Sequence, residues 1–282
     1  MIKLLYKEKN VSSFQKIKTF AKENNIKKIG HSGTLDPMAT GLLLIATDED
    51  TKLLNYIDKE FKSYITTMKF GFKSDTLDAE GKIEKIVNFQ KVTLSDVKSA
   101  LNAFTGKYWQ TPPKFSAKKI NGTRAYQLAR SEKNFSLNKV EVEIKSIIFL
   151  DFNFEKQELK FEVEVSRGTY IRSLVQDIAH YLNGEAIMTE LERHKINNLS
   201  IADLNKNEIN PLILIKNIKT TSINLNELIL LLKGIKLNTE LDNLDNTILI
   251  FNQKIVGFAK IENKKLISTK LFGNKIEKIL KE

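Results

Sequence analysis

The chain contains no cysteine. Disulfides, a thiolate nucleophile and a Cys-ligated zinc are therefore excluded. Only three histidines occur, His31, His180 and His194. None stands among acids at ligand spacing, so a metal centre is not expected. There is no P-loop and no GxGxxG in strand context, and a nucleotide cofactor is not expected either. No segment approaches eighteen uninterrupted apolar residues, and the first residues lack the apolar core of a secretion signal. A cytoplasmic location, away from membranes, is the expectation. Internal repeats and low-complexity linkers are also missing.

What is present fits a globular protein. Hydrophobic residues make up 41% of the 282 residues and charged residues 28%, enough for one large core or two domains. The net charge of +11 is compatible with a merely Lys-rich surface and with a polyanionic partner. Composition alone does not separate these.

The patterning is mixed α and β. Residues 2 to 6 begin a short strand. Ser12 and Ser13 can cap a helix with Phe14, Ile17, Phe20 and Ala21 on one face. Leu42-Leu43-Leu44-Ile45-Ala46 reads as a buried strand, Thr47-Asp48 as the start of a short helix, and 61–71 as another strand. Thr93-x-x-Asp96 is a capping-box start for a helix ending near Gly106. Val140, Val142 and Ile144 alternate with charged residues. So do Leu159, Phe161, Val163 and Val165, which is the period of a half-buried strand. Ile171, Leu174, Val175, Ile178, Ala179 and Leu182 then keep helical spacing, with Gly184 placed as a C-terminal cap. Strands with interspersed helices, without a regular βαβ series, predict an α+β fold. After about Asn217 three short β-prone pieces follow, at 247–251, 255–261 and 266–271. The Lys-rich tail from Lys275 reads as a frayed helix. The expected division is 1–215 and a small β-rich domain, 216–282.

One loop carries the clearest chemistry. Residues Gly30 to Gly41 read GHSGTLDPMATG. Gly33 and Gly41 permit unusual dihedrals, and Pro37 fixes its own φ and biases Asp36 towards extended geometry. The loop should be stiff and present a single acid. An isolated Asp-Pro is ordinarily a turn.

Four further blocks occur in order: FKSYITTMKFG around Tyr64, SDTLDAEG from Ser74, PPKFSAKKINGTRAYQLAR from Pro112, and SRGTYIRSLVQDIAHYLNG from Ser166. Together with GHSGTLDPMATG they resemble the TruB family, the bacterial tRNA pseudouridine-55 synthases, over about residues 3 to 200. The resemblance implies an α+β pseudouridine-synthase core with a mixed, mostly antiparallel sheet, and a PUA-like C-terminal domain. It implies a stand-alone, cofactor-free enzyme, monomeric, with no obligatory protein partner and the T stem-loop of tRNA as its substrate.

The same resemblance distributes roles. Asp36 matches the catalytic aspartate and Arg172 the active-site arginine. Such an acid must stay ionised beside a desolvated base, and a neighbouring cation is expected to hold its pKa down. Tyr64 matches the tyrosine that stacks on the target base and accepts a late proton. Tyr170 matches a pocket-lining tyrosine, and Leu191 an apolar residue over the base; each is otherwise ordinary core. His31 matches an RNA-contacting histidine where the base leaves the stack. Lys7 falls on the lysine of a DKPxGxSS-like string, here YKEKNVSS, in which Glu8 and Asn10 replace proline and glycine. Arg193 remains of a paired-arginine position. Lys118 and Arg130 belong to a basic stretch that would dock on phosphates. A second reading is a tRNA-folding chaperone for which binding outweighs chemistry. The joint presence of Asp36, Tyr64 and Arg172 favours the enzyme.

Overall fold

The computed structural model describes residues 1–57, 61–116, 118–120, 123–130, 135 and 137–281. The first half contains β1 (Ile2–Lys7), α1 (Ser13–Glu23), β2 (Ile29–His31), β3 (Thr40–Thr47), β4 (Phe61–Phe70), β5 (Phe72–Ser74) and β6 (Ile83–Lys85). Next come α2 (Leu94–Ala103), β7 (Gly106–Gln110), β8 (Lys119–Ile120), β9 (Thr123–Arg124), α3 (Ala125–Arg130), β10 (Val140–Asn153) and β11 (Glu158–Ser166). Then follow α4 (Ile171–Tyr181), β12 (Ala186–Ile196) and β13 (Leu199–Ser200). The remainder holds β14 (Thr220–Ser222), α5 (Leu225–Leu232), β15 (Leu237–Asn238), β16 (Leu244–Phe251), β17 (Lys254–Glu262), β18 (Lys265–Leu271) and α6 (Gly273–Lys281).

The main sheet runs β1-β3-β12-β4-β11-β10-β7, with β2 on β3 and β13 on β12. Its pairs are antiparallel except β12 with β3, which is parallel. The apolar run of β3 has a double use. Leu42, Leu44 and Ala46 pack with Ile2 and Leu4, whereas Leu43 and Ile45 pack with Leu5 and Ile17 of α1. A strand covered on both faces needs no polar alternation. By contrast, Leu159, Phe161, Val163 and Val165 of β11 point into one core, which they share with Ile171, Leu174, Val175, Ile178 and Ala179 of α4.

The cap at Ser12 and the capping box at Thr93 form as expected. The short helix expected after Thr47 is present, wound as a 3₁₀ helix from Asp48 to Asn55. Three local expectations are corrected. Phe14 is mostly exposed, because α1 turns only its Ile17 and Ala21 side inward. At the end of α4, Asn183 and not Gly184 takes the left-handed conformation, and the Gly184 N–H closes on the Ala179 carbonyl. The tail is docked: α6 buries Ile276 and Ile279, and Lys275 meets Asp50 at 2.8 Å.

A second sheet, β14-β16-β17-β18-β15, follows residue 219. One of its faces shares an apolar cluster with the main sheet. Ile248, Ile255, Phe258 and Phe272 pack with Ile2, Leu4, Leu42 and Leu53.

Strand β12 positions the site. Its Arg193 lies level with Gly41 on one side and Tyr64 on the other. Gly41 has φ +109°, and a Cβ there would sit 2.3 Å from the Arg193 carbonyl oxygen. Only glycine lets the Asp36 loop end this close to the central strand.

Candidate active site

The loop carrying Asp36 is held on both sides of the acid. The Ser13 hydroxyl accepts from the Leu35 N–H at 2.9 Å and lies 3.0 Å from the Leu35 carbonyl, to which it donates. The Pro37 carbonyl accepts from the Asn10 N–H at 2.8 Å and from Lys7 Nζ at 3.1 Å. Asn10 adopts φ +63°, the left-handed geometry its side chain tolerates. Beneath the loop, Arg193 Nη2 donates to the Gly33 carbonyl at 3.1 Å. The backbone around Asp36 is therefore fixed by residues from three separate elements.

Arg172, at the second position of α4, is 6% exposed and faces the acid. Its Nε lies 3.0 Å from Asp36 Oδ2, and its Nη2 donates to Oδ1 at 3.3 Å. This is a two-point pairing that a planar guanidinium can make and an ammonium cannot. Two backbone carbonyls are bound as well. Nη1 reaches the Thr76 carbonyl at 3.0 Å and Nη2 the Phe115 carbonyl at 3.0 Å. Nε also lies 3.5 Å from Asp78 Oδ2.

Asp78 is the site residue that sequence reasoning left without a role. It is 2% exposed and held by the Thr76 hydroxyl at 2.5 Å and the Glu80 N–H at 3.0 Å. The signal was the second acid of the SDTLDAEG turn. Its pairing with an arginine 94 residues on was not legible from spacing.

Burial pushes the Asp36 carboxyl above its ordinary pKa, and Asp78 adds to this. Arg172 and Lys7 act in the opposite direction but do not prevail. The expectation of a lowered value is thus corrected. About a third of the side chain reaches solvent, yet the enclosing protein dominates. Glu80 is raised too, by its own desolvation and then by Asp78. Two acids, Asp36 and Asp78, meet the guanidinium, and Glu80 lies close enough to feel both charges.

The other expected site residues divide. Tyr64 is 8% exposed and shares the central apolar cluster with Leu35, Met38, Ala39 and Leu191. Among the described residues its hydroxyl has no hydrogen-bond partner. Leu191, one strand over, is buried in the same cluster. Tyr170 precedes α4 and lines a cleft of about 280 Å³ with Pro112, Lys118 and Arg167. Lys118 donates to the Asn138 carbonyl at 3.3 Å. The side chain of Arg130 lies outside the described residues. His31 stands at the base of the loop, its Nδ1 accepting from the Gly33 N–H at 3.3 Å. Desolvation first, then Arg193 and Lys62, lower its pKa, so it is neutral at pH 7.

Two expected RNA contacts are corrected. Lys7 is fully buried, and its ammonium donates to the carbonyls of Glu8, Val11 and Pro37. Arg193 is 1% exposed and donates to the carbonyls of Leu42 and Gly33. Neither can reach a phosphate without unmaking bonds that shape the loop. Both position the backbone around Asp36.

The site is thus an acid on a stiff loop, paired side-on with a buried arginine beside an apolar core, on a mixed sheet. The model of the TruB family pseudouridylate synthase N-terminal domain matches residues 21–171. A protein of Mycoplasma mobile called tRNA pseudouridine synthase B is 47% identical, over 99% of this chain and 97% of its own. One of Mycoplasmopsis pulmonis with the same name is 47% identical, over 100% and 98%. Among solved structures, a chain from a Cbf5-Nop10-Gar1 complex matches with TM-score 0.67 and 19% identity, over 96% of this chain and 84% of that one. The chain belongs to the TruB family.

Proposed function

We propose that this protein isomerises uridine-55 in the T loop of tRNA to pseudouridine. The observation that carries the proposal is the Asp36–Arg172 pair, held rigidly beside an apolar floor that includes Tyr64 and Leu191. In this reaction the N1–C1′ bond of the uridine breaks, the base turns, and a C5–C1′ bond forms. The C5 proton leaves and N1 gains one, so the product is an isomer and no co-reactant is consumed. Asp36 acts as the carboxylate, either by adding to C1′ or by assisting loss of the C2′ proton. Either role needs the ionised form, which Arg172 favours against desolvation. The nucleotide must leave the stack to reach the acid, and Tyr64 and Leu191 supply apolar surface for the flipped base. The segment from residue 216 is proposed to act as a PUA-like RNA-contacting unit. Pseudouridine mapping at nucleotide resolution, on unmodified tRNA incubated with the purified protein, tests this. Modification confined to position 55 is expected; none at that position refutes it.

Tyr64→Phe should fold and bind tRNA like the parent, because the ring keeps its packing. The hydroxyl is proposed to accept the late proton, and such a group contributes on the order of 10²-fold or more. A parental single-turnover rate would reduce Tyr64 to packing.

The rate should also rise with pH through the ionisation of Asp36. Because burial raises that pKa, the acid limb of the single-turnover profile should lie above the ordinary aspartate value of about 3.9. A limb at the ordinary value would mean that desolvation does not govern the site.

Binding should weaken steeply with salt. The chain carries a charge of +11, and each phosphate contact on a duplex contributes a slope of about −0.9 in log affinity against log salt. An affinity unchanged between low and physiological salt would exclude the basic surface as the docking face.

A further inference from the structure

The first turn of α4 carries Arg172, yet nothing local caps it. Tyr170 is its N-cap residue, and the tyrosine side chain makes no cap bond. The anchoring comes from another element. Gln110, the last residue of β7, is wholly buried. Its Oε1 accepts from the Tyr170 N–H at 2.8 Å, and its Nε2 donates to the Tyr170 carbonyl at 3.2 Å. One side-chain amide thus holds both backbone groups of a single residue. The orientation of the amide follows from chemistry: the atom facing the Tyr170 N–H must be an acceptor, which leaves Nε2 for the carbonyl.

The amide is itself anchored. Gln110 Nε2 donates to the Tyr108 hydroxyl at 2.6 Å, and that hydroxyl donates to Asp177 Oδ2 at 3.2 Å, two turns further along α4. Alongside, the Ser173 hydroxyl donates to the Thr111 carbonyl at 2.8 Å and Arg172 Nη2 to the Phe115 carbonyl at 3.0 Å. The 110–115 segment is therefore stitched to the start of the helix that presents the arginine.

We propose that Gln110 is a positioning residue for the reaction: by clamping the Tyr170 backbone it sets where Tyr170 and Arg172 stand relative to Asp36. This rests on the reading of the Asp36–Arg172 pair as the catalytic centre. The physical case is one of leverage. The helix is rigid, so fixing the Tyr170 peptide fixes the Arg172 Cα two residues on. A displacement of about 1 Å in a reacting geometry can cost on the order of 10²-fold in rate.

The test replaces Gln110 by methionine, which has similar bulk and no strong hydrogen-bonding group. Gln110→Met should lose about 10²-fold in single-turnover rate with tRNA affinity little changed. Amide exchange at Tyr170 should quicken while the body of α4 stays protected. Ser173→Ala removes a bond from the same seam without touching the clamp, and should keep the parental rate. Tyr108→Phe leaves Gln110 in place but frees its anchor, and should lose up to about tenfold; it decides the matter if Gln110→Met does not fold. A parental rate in the folded Gln110 and Tyr108 variants overturns the proposal. So do rate losses in Gln110→Met and Ser173→Ala that merely follow their losses of Tm. Unchanged Tyr170 exchange in Gln110→Met refutes the clamp whatever the activity, whereas absence of pseudouridine with the parent protein refutes the functional reading instead.

Discussion

Asp36→Asn is expected to abolish turnover while leaving tRNA affinity nearly intact. The amide is almost isosteric and can still meet Arg172, so loop and binding surface persist. What disappears is the charge, and an amide can neither add to C1′ nor take up a proton. Stability should not fall with activity. The folded-state pKa of Asp36 is raised, so the folded chain binds its proton more tightly than the unfolded chain does. The stability this group contributes is fully present below its unfolded pKa and is lost as pH rises through the folded one. At neutral pH its charge opposes folding, and asparagine removes that opposition. Single-turnover assays on unmodified tRNA, with thermal melts on the same samples, check both halves. Measurable multiple turnover by Asp36→Asn would remove the acid from the mechanism.

Arg172→Met is expected to damage both chemistry and fold. The guanidinium serves Asp36, Asp78 and two backbone carbonyls at once. Removing it leaves Asp78 buried without its cation, and breaking one partner of a buried pair costs about 3–5 kcal/mol. Arg172→Lys should rescue poorly, since a point charge cannot span four acceptors arranged for a planar fork. In the methionine variant Asp36 loses the charge that favoured its ionisation. Its folded pKa then rises further, so part of the lost stability should return as pH falls. Denaturant titrations at neutral and mildly acidic pH measure this. A loss below about 1 kcal/mol would class the pair with solvent-screened surface bridges.

The sequence determined the features whose cause is local. Ser12 and Thr93 cap helices because the partner of each hydroxyl lies three residues away. Val163 and Val165 fall on one face because the strand period is two. Asp36 stands on a stiff loop because glycine and proline restrict the backbone around it. The similarity to TruB blocks pointed to Tyr64 and Arg172 as well, and these lie in one neighbourhood with Asp36. Tertiary structure decided what depends on distant partners. Strand β12 reads MTELERHKI at its core, without a clean alternation, and becomes central because β3 and β4 pair on its two sides. Lys7 and Arg193 look like surface cations in sequence. They are interior residues because carbonyls of the Asp36 loop, up to 160 residues away, satisfy their donors. The raised pKa of Asp36 has the same origin. Spacing can show that a cation is available, but only the packed structure sets how much water the acid loses, and that loss outweighs the attraction of Arg172.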